Sequence, residues 1–227
     1  MSTSGKLPEE IPASQIRYES GGAIEEIFNS LTHAIGAGLA IAGLVALLIL
    51  TGKDPSPWKY VGFSIFGASQ ILLFLSSAVM HGFAAMPRIR RSLAVFDHAL
   101  IYVLIAGTYT PLCLIAMRGN WGWVILGIIW SLAIIGIVLR TIFFDRTRLL
   151  ADLLYVPMGW LIVLFFRPLL QTTSVQLVVW AMIAGVFYTV GVVFYAWCKF
   201  SFSHVVWHLF VIVAGVSFFV GYALHLV

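Results

Sequence analysis

Charge is what this sequence has least of. Only 10% of its 227 residues are Asp, Glu, Lys or Arg, where a soluble domain carries about 25%. That scarcity excludes a water-facing surface over most of the chain. With 61% hydrophobic residues and a mean hydropathy of +1.02, it makes this an integral membrane protein. Cysteine is almost as rare: Cys113 and Cys198 are the two, too few for a disulfide scaffold. They fall at opposite membrane depths in the span reading below, so no bridge between them is expected. The net charge of +4 is scattered over short loops, which excludes a nucleic-acid-binding face. Residues 1–30 have Glu9, Glu10, Glu19, Glu25 and Glu26 where a cleavable signal would have its apolar core, so no such signal is expected. Alternating segments of about ten residues, the mark of an outer-membrane barrel, are missing as well.

What is present is a series of long apolar runs. A helix needs about 20 apolar residues to cross the hydrocarbon, and helices satisfy their own backbone groups there. Runs between charges predict spans near 31–50, 59–81, 94–117, 121–140, 149–166, 175–197 and 203–225. The expected fold is therefore all-α, a seven-helix transmembrane bundle over 31–227 preceded by a polar cytoplasmic tail, 1–30. The fifth span is the shortest and carries Asp152 and Pro157.

Basic residues orient the bundle, because cytoplasmic loops are enriched in Lys and Arg. Lys6, Arg17, Arg88, Arg90, Arg91, Arg140, Arg146, Arg148 and Lys199 fall on the amino-terminal side, against Lys53, Lys59, Arg118 and Arg167 on the other. The amino terminus is expected inside and the carboxyl terminus outside.

On this topology five of the six histidines converge on one face: His33, His81, His98, His204 and His208, with Asp97 among them. His225 lies at the opposite end. In "HVVWH" the i, i+4 spacing puts His204 and His208 on one side of a helix, as two ligands of one metal ion require. His81, in "LSSAVMHGF", offers a third nitrogen, and three histidines with one open position suit Zn2+. Ser77, one turn before His81, can donate to a developing oxyanion. Asp97 can hold or deprotonate a water, or orient a ligand imidazole. The plainer alternative for the trio is shared polar packing between helices. His33 and His98 read equally well as interhelical hydrogen-bond partners, and Ser77 can satisfy its own i−4 carbonyl. Asp152 is read as interfacial, pairing with Arg148. Trp58, Trp121, Trp123 and Trp207 are read as an interfacial belt, and "GTYTP" at 107–111 as a kink.

Four stretches resemble the haemolysin III family, the bacterial branch of the progestin and adiponectin receptor families, within a ceramidase-related superfamily of seven-helix membrane hydrolases. They are "NSLTHAIG" (29–36), "SSAVMH" (76–81), "FDHALIYVLIAGTYTP" (96–111) and "HVVWHLFV" (204–211). The resemblance implies a protein of the bacterial cytoplasmic membrane, with zinc held by His81, His204 and His208, and with Ser77 and Asp97 at the site. Three activities follow as expectations. The first is zinc-dependent hydrolysis of a lipid amide or ester, with a membrane lipid as substrate. The second is a non-catalytic sensor with structural zinc. A pore or transporter ranks last, because the outer halves of the spans offer little polarity beyond Thr108, Tyr109 and Thr110.

Overall fold

The computed structural model describes residues 22–142, 154–196 and 200–227. Among them there is no strand, and seven helices are long and apolar enough to cross a membrane. They are α1 (Ala23–Thr51), α2 (Pro57–Gly82), α3 (Pro87–Pro111), α4 (Asn120–Ile142), α5 (Leu154–Thr172), α6 (Val175–Ala196) and α7 (Ser203–His225). The all-α, seven-helix architecture expected from the apolar runs is the one observed.

Three spans depart from the run-based boundaries, each for a physical reason. Helix α3 begins at Pro87 rather than 94, because its first turns carry Arg88, Arg90 and Arg91 ahead of the apolar run. Helix α1 begins at Ala23 rather than 31. Its first turns carry Glu25 and Glu26, which a charge-delimited reading treats as the end of the tail. Yet Glu26, Asn29 and His33 are buried while Ile24, Ile27, Leu31 and Ile35 are exposed. A membrane helix can turn its polar side inward and its apolar side to lipid, so a charge there does not mark the edge of the helix. Helix α5 runs from Leu154 to Thr172 rather than 149–166. It tightens into a 3-10 segment at Leu161–Phe165 and continues past the exposed Arg167, whose head can reach the interface on its long stem. Asp152, Arg148 and Cys198 lie outside the described residues; Cys113 is buried and free.

The best-buried helix is α3, followed by α2 and α7. Helix α1 packs on α2 and α7, α2 on α3, α3 on α4, and α6 on α7. Helix α5 joins through Met158, Ile162 and Leu169, which share a core with Tyr109, Ile125, Ile129 and Val178. Outward-facing Ile35, Ile134, Leu164 and Val179 are exposed, as lipid-facing side chains should be.

Helix α3 approaches α2 where Gly107 meets Ser69: a Cβ on Gly107 would lie 2.3 Å from Ser69 Oγ. Past Pro111 the helix loosens into a π turn, Leu112–Ala116, closed by Met117 N–H donating to the Leu112 carbonyl at 2.8 Å. Proline lacks an N–H for the helical ladder, and such a widened turn is one way to absorb the defect. The kink read in "GTYTP" is thus a change of helix type just beyond it.

Candidate metal centre

The end of α2 and the start of α7 meet at one end of the bundle, beside the first turns of α1. His81 closes α2, while His204 and His208 occupy the opening turns of α7. The turn into α7 passes through Phe202 with φ of 67°, a left-handed conformation uncommon for a residue with a side chain. Its ring meets Phe28 of α1 edge-on at 5.7 Å, so α1 and the start of α7 are fastened beside the histidines.

His81, His204 and His208 are all buried, and each offers a ligand atom within 4.8 Å of the others. Their ring centroids are separated by 5.0 Å (His81–His204), 5.1 Å (His81–His208) and 4.4 Å (His204–His208). The trio singled out from spacing is therefore one cluster, and it could hold a metal ion. The imidazoles come from two helices, α2 and α7. Helix α1 takes part through its contacts with two of them.

His81 Nδ1 lies 2.6 Å from Glu26 Oε2, and the other oxygen of the same carboxylate accepts from Arg90 at 2.5 Å. His208 Nδ1 lies 3.2 Å from the Asn29 carbonyl and 3.2 Å from Thr32 Oγ1. The Thr32 hydroxyl itself donates to the Phe28 carbonyl at 2.8 Å. A carbonyl only accepts, so the His208 proton sits on Nδ1, and Nε2 is the nitrogen that would ligate. Glu26 and Arg90 are the residues that sequence reasoning missed. The available signal was helical spacing: Glu26, Asn29 and His33 stand at i, i+3 and i+7, on one face of α1.

Asp97 and Ser77 are both buried on the wall of one cavity with His204 and His208. Asp97 Oδ1 accepts from Ser76 Oγ at 2.7 Å, so Ser76 steadies a carboxylate that the sequence reading left without a named support. His98 lines the same cavity but is held by its neighbours. Its Nδ1–H donates to the Ala94 carbonyl at 2.7 Å, and Nε2 accepts from the Tyr195 hydroxyl at 3.3 Å. That is the interhelical packing role. His33 stacks on His208 and also packs on Phe74.

The cavity has a volume of about 810 Å³, within the usual ~300–1,000 Å³ of ligand sites. It opens from the histidines toward Leu104, Leu112, Ile162 and Phe218. From Ala94 to Leu112 along α3 it spans roughly 27 Å at 1.5 Å per residue. Of its deeper hydroxyls, Thr108 donates to the Leu104 carbonyl at 2.7 Å and Tyr109 to the Gly159 carbonyl at 2.8 Å, while the buried Tyr188 hydroxyl has no hydrogen-bond partner among the described residues. The deeper chamber is therefore largely apolar, with the Tyr188 hydroxyl as its polar exception. Trp207, read as part of an interfacial belt, faces this cavity and packs against Gly191. Trp121 and Trp123 are exposed, and Trp58 meets Trp123 edge-on.

Residues 22–219 match the family model described as Haemolysin-III related. The chain is similar to Hemolysin-3 of Bacillus cereus, at 41% identity over 83% of this chain and 85% of the relative. It is similar to the Hemolysin-3 homolog of Bacillus subtilis (strain 168), at 42% identity over 86% and 91%. A more distant likeness, 25% identity over 84% of this chain and 80% of the relative, is to the human monocyte to macrophage differentiation factor.

Proposed function

The chain belongs to the haemolysin-III-related family, and we propose that it is a membrane-embedded, zinc-dependent hydrolase of a lipid amide or ester. The observation that carries this reading is the cavity. A long, largely apolar chamber reaches His204 and His208 of the three-histidine cluster, with a carboxylate and a hydroxyl on the same wall. A structural metal site needs no such chamber, and an ion pathway would need polar groups along its depth.

His81, His204 and His208 would hold the ion, and three imidazoles are a donor set suited to Zn2+. When bound there, zinc supplies a Lewis acid for the scissile carbonyl and acidifies a water. Asp97, oriented by Ser76, accepts a proton from the attacking water and returns it to the leaving amine or alcohol. Ser77 donates to the carbonyl oxygen as negative charge builds on it. The apolar walls seat the acyl chain and keep bulk water out. Net reaction: the amide or ester and one water give a carboxylic acid and an amine or alcohol.

The excess of Lys and Arg on the amino-terminal side supports placing this site at the cytoplasmic face of a bacterial inner membrane. The test is turnover of a panel of long-chain amides and esters by the purified, zinc-loaded protein, with Asp97→Asn alongside. Release of free fatty acid by wild type and not by the variant supports the reading. No release across the panel, with zinc bound, would leave the non-catalytic sensor with structural zinc.

A further inference from the structure

Glu26 of α1 ties the end of α2 to the start of α3. Its Oε2 stands 2.6 Å from Nδ1 of His81 at the end of α2, and its Oε1 accepts from Arg90 in the first turn of α3. The carboxylate is 7% exposed. A buried carboxylate between a guanidinium and an imidazole has one oxygen for each, which fixes both the side chain and the ring it faces. We infer that Glu26 is the positioning residue of the metal centre, holding His81 with its proton on Nδ1 and Nε2 toward the ion, and that Arg90 acts through Glu26 by locking its rotamer. The inference rests on the reading of His81, His204 and His208 as metal ligands.

Three physical points support it. An acceptor on Nδ1 selects the tautomer whose Nε2 lone pair can ligate, and a carboxylate there raises the basicity of the ring more than a neutral acceptor does. The partner imidazole His208 is braced from the same helix, through the Asn29 carbonyl and Thr32, so the first turns of α1 form one cradle behind two ligands. The charges also favour this pairing: bringing Arg90 to Glu26 neutralises a buried acid that would be costly alone. Asp97 sits on the cavity wall, where its Oδ1 accepts from Ser76.

The test is zinc affinity of the purified full chain by chelator competition, with folding followed by gel filtration and thermal unfolding of the metal-stripped protein. Glu26→Ala should weaken zinc binding about 10–100-fold, as loss of a carboxylate behind a ligand histidine does. Glu26→Gln should lie between wild type and Ala, because its amide oxygen still accepts from Nδ1 while its NH2 faces Arg90. Arg90→Met should cost less than Glu26→Ala, and should add nothing in the Glu26→Ala background if Arg90 works through Glu26. Glu26→Gln keeps the side chain's size, so it reports on the site even if Glu26→Ala misfolds. Affinities within about twofold of wild type in Glu26→Ala and Glu26→Gln, against that 10–100-fold expectation, would overturn the inference while leaving the metal site standing. An undiminished Arg90→Met effect in the Glu26→Ala background would overturn the part assigned to Arg90. Wild-type protein that takes up no zinc would remove the metal reading itself, and this inference with it.

Discussion

His33 lies flat against His208, with ring centroids 3.6 Å apart and planes inclined by 14°. Neither ring nitrogen of His33 has a hydrogen-bond partner among the described residues, so this histidine works through its face. It limits how far the His208 ring can tilt, and it needs to be flat rather than basic. Phe at position 33 should preserve zinc affinity. Ala should weaken it about 2–10-fold, the equivalent of an aromatic pair worth ~0.5–1.5 kcal/mol. Chelator titration distinguishes the two. A loss in His33→Phe as deep as that in His208→Ala would make His33 a ligand instead.

Metal content should follow the cluster and not the histidine count. Purified protein is expected to carry about one zinc per chain, with His208→Ala nearly devoid of metal and His225→Ala unchanged. Elemental analysis of the three proteins is sufficient. Added zinc should also raise the unfolding midpoint of the wild type, since a ligand at 100 times its Kd stabilises the folded state by about 2.7 kcal/mol. Equal retention of zinc in both variants would remove His208 from the site.

The contact between Gly107 and Ser69 admits no side chain. A methyl group at position 107 would sit 2.3 Å from Ser69 Oγ and 2.7 Å from its Cβ, which is backbone-anchored and cannot swing away. Gly107→Ala should therefore destabilise the bundle by about 1–3 kcal/mol, the usual cost of overpacking, read as a lowered midpoint in detergent. Ser69→Gly on top of it should restore most of the loss. A Gly107→Ala protein as stable as wild type would mean that α2 and α3 are less closely apposed than described.

The architecture was legible because the bilayer imposes a length on every apolar run, and seven such runs leave few alternatives. The trio His81, His204 and His208 was legible for a related reason. Imidazoles are rare in such runs, and alternating helices convert sequence position into depth. What escaped was the support behind them. Glu26 lies in a stretch whose charges look like a solvated tail, and only the fold shows that its face turns inward. Ser76 was hidden by its neighbour: adjacent serines point about 100° apart on a helix, and nothing in the sequence says which one meets Asp97. The role of Trp207 was misjudged because the position of an aromatic near a span end does not reveal which side of the helix faces lipid.

Orientation is open to direct measurement. If the basic side faces the cytoplasm, single cysteines placed in the connection at 83–86 between α2 and α3 should be shielded from a membrane-impermeant thiol reagent in intact cells. A cysteine added after Val227 should be labelled. Cys113 and Cys198 would first be replaced by Ala or Ser, so that the added thiol alone responds. The reverse pattern would move the histidine cluster to the outer face and, with it, the side from which a substrate headgroup reaches the site.

Asp97 is where catalysis and scaffolding part. Asp97→Asn keeps the size of the side chain and can still accept from Ser76, but an amide cannot take up the proton of an attacking water. In a hydrolase this change should all but abolish turnover of a susceptible lipid amide while leaving zinc content near that of wild type. Ser77→Ala removes one donor to the developing oxyanion and should cost about 10²-fold in kcat. Ser76→Ala touches only the orientation of the carboxylate, so its loss should be smaller than that of Asp97→Asn and should leave zinc bound. The ordering Asp97→Asn, Ser77→Ala, Ser76→Ala, from most to least damaging, is therefore specific to a proton-accepting Asp97. A structural centre has no reason to produce it: there, turnover is absent from the start and the same substitutions act on thermal stability alone. Comparing the lipids of membranes that carry wild type with those that carry Asp97→Asn extends the test to substrates not anticipated. Identical lipid profiles, together with no hydrolysis by the purified protein, would leave Asp97 as a structural carboxylate beside the three histidines.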